Sequence, residues 1–229
     1  MLVVKKLPRS LSAEAYKSLR TNIKYASIDK KIQTIVITSS QPEEGKSTVA
    51  ANLAYTLSQD GLKVLLMDCD LRKPTLHKKL DLTNEKGLTD FLVDKCDIKL
   101  SIHEFADNLF VMPAGSRPPN PAEVIGSKFL EEFLKDLKRA YDYIIIDTPP
   151  VLPVTDALIL AGKVDATILV SRSRKTKERL LKQSYEELIK VRANIIGSVL
   201  VDLENTRYDK YHEYYGIGRN RFRNRKRKV

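Results

Sequence analysis

Short apolar runs alternate with amphipathic stretches along most of this chain, and each change of pattern predicts a change of secondary structure. A strand that is covered on both faces of a parallel sheet carries apolar residues at nearly every position. Runs of this kind lie at 35–38 and 63–67, and a third apolar run, at 143–147, ends in an acid. Further strands are predicted at 108–112, 166–170 and 195–201. The tally is about six strands.

Helical spacing of apolar residues predicts the elements between these strands. Helices are expected at 10–27, from Lys46 onward, at 88–93, at 127–139 and at 177–191. We expect Ser12 to cap the first helix, Ala15 to face inward from it, and Phe129 to face inward from the fourth. Strands that alternate with helices predict one α/β domain, with a mostly parallel sheet and helices on both faces.

The segment 32–54 joins a predicted strand to a predicted helix through a phosphate-binding loop. It follows the P-loop pattern G-x-x-x-x-G-K-[ST], in which the lysine reaches the outer phosphates and the hydroxyl faces Mg²⁺. Ser40 replaces the first glycine of the pattern, so an ordinary turn with a chance Gly-Lys-Ser is the alternative. A P-loop NTPase-like fold is predicted, with ATP and Mg²⁺ bound at Glu44, Gly45, Lys46, Ser47 and Thr48.

Acidic residues follow two of the predicted strands. Asp68 and Asp70 come after the second strand, and Asp147 ends the run YIIID. Ligands of open parallel sheets bind at the carboxyl ends of the strands, so these carboxylates should face the nucleotide. One of the first pair can hold Mg²⁺ while the other accepts a proton, although both could be mere turn formers. Asp147 has the Walker B position, which assists the metal, and Arg72 is available for a phosphate or an anionic substrate.

The net charge of +11 is concentrated at the C-terminus. Residues 216–229 contain five arginines, two lysines and no acid, so they contribute +7 and leave +4 for the rest. Such a tail is either a disordered, solvated terminus or a binding segment for acidic lipid, nucleic acid or an acidic partner. We divide the chain into an N-terminal helix at 1–30, a P-loop domain at 31–204 and a tail at 205–229.

Four tyrosines lie close together just before the basic run. Their neighbours are charged or polar, which is unusual for core tyrosines and suggests displayed substrates rather than a folded aromatic edge. They are Tyr208, Tyr211, Tyr214 and Tyr215. On the first predicted helix, Glu14, Lys17 and Arg20 recur every third residue, as either a solvated edge or a subunit contact.

No apolar run approaches the roughly 20 residues of a membrane span, and the N-terminus lacks a signal-peptide pattern. We therefore expect an intracellular protein. Its two cysteines, Cys69 and Cys96, have no partner at metal-ligand spacing and are expected to be buried, reduced thiols rather than ligands of a metal-thiolate site.

Together these segments resemble the bacterial tyrosine kinases of capsule and exopolysaccharide synthesis, in their separate cytoplasmic form. The resemblance rests on EAYKSLRTN (14–22), SSQPEEGKST (39–48), LLMDCDLRKP (65–74), YIIIDTPP (143–150) and the tyrosine cluster. It implies that Asp68 activates the tyrosine hydroxyl and that Asp70 and Asp147 support Mg²⁺. The usual E-x-x-R-x-x-R contact motif has lysine at position 17, and the usual asparagine after the last strand is replaced by Val201 and Asp202.

The resemblance also implies partners and a location. Expected partners are a second copy in a ring, whose tail is phosphorylated in trans, the cytoplasmic tail of a transmembrane activator of polysaccharide polymerisation, and a phosphotyrosine phosphatase. Nucleic acid is not expected, and the protein should be cytoplasmic and recruited to the membrane by its activator.

The alternative function is a partitioning or positioning ATPase of the deviant P-loop type. That class carries a second lysine immediately after the first position of the loop motif, which reaches the phosphate of the other subunit. Gln41 occupies this position here, and a switch ATPase has no use for four displayed tyrosines. We therefore predict an ATP-dependent tyrosine kinase.

Overall fold

The computed structural model describes residues 2–28 and 30–203, so the tyrosine cluster and the basic tail lie outside the described residues. Within this part the strands form a single sheet in the order β3-β4-β2-β5-β1-β6-β7. Neighbouring strands are parallel except β3 and β4. The strands are β1 Thr34–Ser39, β2 Val64–Asp68, β3 His103–Ala106, β4 Leu109–Met112, β5 Tyr143–Asp147, β6 Ala166–Arg172 and β7 Ile195–Val201.

Helices cover both faces of the sheet, as the sequence predicts. On one face α3 packs against alternate residues of the central strands, such as Ile35, Leu66 and Ile145. On the other face α8 packs against the intervening ones. The helices are α1 Val3–Lys6, α2 Leu11–Ala26, α3 Lys46–Ser58, α4 Leu76–Leu80, α5 Leu88–Asp94, α6 Ile98–Ser101, α7 Pro121–Gly126, α8 Lys128–Ala140, α9 Asp156–Ala161 and α10 Glu178–Lys190.

Some local expectations are wrong. The cap of helix α2 is Ser10, two residues before the predicted Ser12, because the Ser10 hydroxyl accepts the hydrogen bond from Ala13 N. Ala13 is buried where Ala15 was expected, which shifts the inward face. Phe129 is 42% exposed and stacks on Phe91 at a centroid distance of 5.5 Å. Cys69 is buried as expected, but Cys96 is only half-buried.

The order of the sheet decides where chemistry can occur. β5 lies between β2 and β1, so three predicted functional segments leave the sheet side by side at its carboxyl edge. In register, Asp147 pairs with Ile37 on one side and with Asp68 on the other. The phosphate loop, the pair Asp68 and Asp70, and the segment after Asp147 therefore meet at one place.

No helix within residues 2–28 and 30–203 combines the length and the apolar character that crossing a membrane requires.

Candidate active site

The phosphate loop occupies 40–45, between β1 and α3, and its conformation requires a glycine at its end. Gly45 has φ +96°, in the left-handed region, and a Cβ there would lie 3.1 Å from Cγ2 of Val201. Any larger residue would therefore strain the backbone and press on β7. Helix α3 begins at the next residue, Lys46, so its first amides open toward the loop.

The side chain of Glu44 faces the protein. Its carboxylate is buried and accepts hydrogen bonds from Gln41 N at 3.0 Å and from Thr176 Oγ1 at 2.6 Å. These bonds tie the loop to the segment that follows β6, so a nucleotide contact by Glu44 would have to use its backbone.

Lys46 lies over the carboxylates of the site. Its Nζ is 3.3 Å from Oδ2 of Asp70, whose Oδ1 accepts a hydrogen bond from Lys73 N at 3.0 Å. Both charged side chains are largely buried. The ion pair holds the lysine at the carboxyl edge of the sheet, beside the loop that is predicted to bind phosphate.

Asp147 is fully buried, and neither of its carboxylate oxygens has a hydrogen-bond partner among the described residues. Burial raises its pKa to about 6, while Lys46 and then Ser47 lower it. The Ser47 hydroxyl is near, but the contact falls short of a hydrogen bond and this hydroxyl accepts one from Thr75 Oγ1 at 3.3 Å. A buried orphan carboxylate beside a hydroxyl is a donor set that suits Mg²⁺.

Among the described residues, no group of three His, Cys, Asp or Glu side chains is arranged to hold a metal ion alone. Magnesium usually takes one or two carboxylates and receives its other ligands from phosphates and water.

Asp68 is buried and holds the loop that follows it. Its Oδ1 accepts a hydrogen bond from Asp70 N at 3.2 Å, and its Oδ2 accepts from Thr75 N at 3.1 Å and Leu76 N at 3.0 Å. Burial first, and then the charges of Asp147 and Asp70, raise its pKa to about 8, although these amides favour the charged form.

Arg72 is engaged by a partner that the sequence did not indicate. Its Nε and Nη2 donate to Oδ2 and Oδ1 of Asp156, at 2.9 and 3.0 Å. Asp156 opens α9, and in the sequence it reads as an ordinary acid in the first turn of a helix. The sequence carries no signal for this pairing, because the two residues are 84 positions apart.

The charged residues predicted as a subunit contact lie on α2, outside this site. Lys17 forms an ion pair with Glu14 at 2.7 Å within the helix. Arg20 pairs with Asp60 and donates to the Thr56 carbonyl at 3.1 Å, which ties α2 to the end of α3.

Comparison with known proteins places the chain among kinases. Residues 32–195 match the family described as AAA domain. The chain is 41% identical to tyrosine-protein kinase YwqD of Bacillus subtilis over 91% of its length and 88% of that relative. It is 37% identical to the putative tyrosine-protein kinase CapB of Staphylococcus aureus, over 94% of this chain and 95% of that one. The crystal structure of the chimerical protein CapA2B2 superposes with a TM-score of 0.86 at 36% identity, covering 89% and 90% of the two chains.

Positioning ATPases share the fold at greater distance. The cell division ATPase MinD of Pyrococcus furiosus gives a TM-score of 0.62 at 29% identity, covering 73% of this chain and 71% of its own. The lower similarity agrees with Gln41 in place of the second lysine and favours the kinase over the switch ATPase.

Proposed function

The chain belongs to the family of bacterial tyrosine-protein kinases, and from this premise we propose that it transfers the γ-phosphoryl group of ATP to protein tyrosines, including those of its own tail. The observation that supports this proposal most directly is the orphan carboxylate of Asp147, paired in register with Asp68 and close to Lys46 and Ser47. The residues proposed to bind nucleotide, hold the cation and accept the proton thus lie at one edge of the sheet.

We assign Ser47, Asp70 and Asp147 to Mg²⁺ and Lys46 to the outer phosphates. When bound, the cation would neutralise charge on the transferring phosphoryl group. The backbone amides of 45–48 belong to the end of the phosphate loop and the first turn of α3, where they would hold the β-phosphate. Because these donors are fixed by α3 before the nucleotide arrives, little reorganisation is needed in the transition state.

Asp68 is proposed as the group that receives the phenolic proton. The tyrosine oxygen forms a bond to the γ-phosphorus, the bond to the β-bridging oxygen breaks, and the phenolic proton passes to the carboxylate. A free phenol has a pKa near 10, so its proton leaves late in a loose transition state. The pKa of Asp68, raised to about 8, is closer to that of the phenol than an ordinary carboxyl would be.

The proposed partners follow the family. We propose that the protein acts in the cytoplasm and is recruited to the membrane by the cytoplasmic tail of a transmembrane polysaccharide co-polymerase. It would assemble into rings, and a phosphotyrosine phosphatase would remove the phosphate from its tyrosines. Capsule or exopolysaccharide synthesis is the process it would regulate.

One experiment tests the proposal directly. The protein is incubated with ATP, Mg²⁺ and the cytoplasmic tail of a candidate membrane partner, and the peptide that contains Tyr208 to Tyr215 is analysed by mass spectrometry. Phosphate on these tyrosines is the expected result. Nucleotide hydrolysis without any phosphotyrosine would instead favour the switch ATPase.

We expect the charged edge of α2 to act in assembly. Replacing Glu14, Lys17 and Arg20 by alanine should give monomers that autophosphorylate weakly, because each tail must reach another copy. Light scattering and phosphotyrosine blotting measure the two effects. Asp60→Ala is the matched control, since it removes the intramolecular partner of Arg20 and leaves the three residues in place. An oligomer that persists in the triple variant would exclude this role.

We also expect the tail to work as a charge switch. Each phosphotyrosine adds about 1.5 to 2 negative charges at neutral pH, so four of them add roughly −6 to −8. This charge would compete with acidic lipid or partner surfaces for the adjacent +7 of residues 216–229. The dephosphorylated protein should therefore be the more oligomeric and the more membrane-bound form. Sizing and liposome sedimentation of matched samples at equal salt check this, and identical behaviour of both forms would rule it out.

A further inference from the structure

Arg72 and Asp156 form a bidentate ion pair at the edge of the sheet that carries the candidate active site. The proposed reaction assigns no role to this pair. Both donors of the guanidinium fork are occupied by the two carboxylate oxygens, at 2.9 and 3.0 Å. The Asp156 side chain is fully buried, whereas that of Arg72 is 35% exposed. Such bidentate geometry fixes the orientation of the arginine as well as its position.

The pair joins two segments that carry the candidate catalytic acids. Arg72 stands two positions after Asp70, and Asp156 lies beyond Asp147 at the start of α9. The segment between Asp147 and Asp156 is itself fixed to β1. Its bonds to that strand are Thr148 N to Ile37 O at 3.2 Å, Thr38 Oγ1 to Pro149 O at 2.9 Å, and Val151 N to Ser39 O at 2.8 Å.

Arg72 also lies in the field of Asp70. The pKa of the guanidinium is raised by the Asp156 hydrogen bonds first and by the charge of Asp70 as well. Asp70 already has a cationic neighbour, because Nζ of Lys46 is 3.3 Å from its Oδ2. Arg72 stands two positions after Asp70, so an arginine released from Asp156 would remain in the field of Asp70 and would compete there with Lys46 and with a bound cation.

We propose that Asp156 is a positioning residue for the kinase reaction: it holds Arg72 off Asp70, so that the Asp70 carboxylate stays available to Mg²⁺ and the 68–72 loop stays fixed. This inference rests on the proposed function, since the cation is the one assigned to Asp70 there. It replaces the expectation that Arg72 contacts phosphate directly with a role that acts through Asp70.

The test compares Asp156→Asn, Arg72→Gln and the double variant in the full chain. Mg²⁺ is titrated while binding of a fluorescent ATP analogue is followed, and kcat and KM for ATP are measured in parallel. In Asp156→Asn the Mg²⁺ midpoint should rise about 10- to 100-fold, as is typical when the support of a metal ligand is lost. The double variant should bind Mg²⁺ better than Asp156→Asn, because the competing cation is gone.

Controls separate this role from a general loss of stability. Asp165→Asn removes an acid of a comparable ion pair, with Lys138 at 2.8 Å, at the amino edge of the sheet, and should leave the Mg²⁺ midpoint unchanged. If Asp156→Asn does not fold, Arg72→Lys decides, since it keeps the charge but loses the fork and should shift the midpoint in the same direction.

Two results would overturn the proposal. One is an unchanged Mg²⁺ midpoint in both Asp156→Asn and Arg72→Lys. The other is a double variant as poor as the product of the single effects. The binding readout needs no phosphoryl transfer, so a wild-type protein that binds Mg²⁺ and nucleotide but makes no phosphotyrosine would defeat the proposed function alone.

Discussion

Lys46→Met is expected to lower phosphotyrosine formation by at least about 10³-fold, the order associated with losing a charge from a phosphoryl-transfer site. Methionine keeps most of the aliphatic stem but cannot neutralise the outer phosphates. The measurement is the initial rate of tail phosphorylation at saturating ATP and Mg²⁺, read by mass spectrometry. Tail phosphorylation at the wild-type rate would remove the P-loop from the mechanism.

The fold should survive this change, because the buried acids can take up protons. Lys46 lowers the pKa of Asp147 and pairs with Asp70, so its loss raises the pKa of Asp147 above its present value of about 6. At neutral pH the neutral acid then replaces an uncompensated buried charge. Lys138→Met is the matched control, since it removes a lysine ion pair with Asp165 far from the nucleotide loop, and it should leave the rate unchanged.

The architecture was predictable because most of its strands are short runs of apolar residues that can be recognised in the sequence. β1, β2, β5, β6 and β7 were all predicted to within two residues at each end, since short, mostly apolar runs between helical segments are typical of strands in an α/β fold. β3 was missed because its four residues are half-buried or exposed and carry no apolar run. It is the antiparallel edge strand, where burial imposes no pattern.

The candidate site was predictable only in part, for a related reason. Strand order places Lys46, Ser47, Asp68, Asp70 and Asp147 together, and the rule that ligands bind at carboxyl ends anticipates it. The partners that orient two neighbouring side chains, Glu44 and Arg72, were not predictable. Thr176 binds Glu44 across 132 positions and Asp156 binds Arg72 across 84, and no periodicity encodes contacts between loops.

The wrong predictions for the cap of α2 and for the burial of Phe129 each have a cause in the nearby sequence. Ser10 and Ser12 are both acceptable caps, and the choice depends on where the chain turns after α1 rather than on residue type. Phe129 satisfies the apolar spacing of α8, yet it lies at the margin of the buried stripe and meets Phe91 instead of the sheet. Amphipathic spacing thus predicts the centre of a buried face better than its edges.

Asp68→Asn is expected to reduce kcat by about 10²- to 10⁴-fold, the range for losing a general base, while ATP affinity changes much less. The amide keeps the shape of the side chain but accepts no proton. Asp147→Asn is the informative comparison, because the two residues are paired in register and Asp147 is assigned to the cation. It should chiefly raise the Mg²⁺ requirement, so the two variants should separate along kcat and Mg²⁺ affinity.

The pH dependence gives this prediction a second, independent readout. Burial and the charges of Asp147 and Asp70 raise the pKa of Asp68 to about 8 in the free protein, so the fraction of base grows as pH rises toward that value. The rate of the wild-type protein should therefore climb with pH until Asp68 is ionised. The climb should occur at a lower pH when bound Mg²⁺ adds positive charge near this carboxyl. Asp68→Asn should lose this limb. A variant that keeps both its turnover and the limb, and only binds ATP poorly, would make Asp68 a ligand and move the base elsewhere.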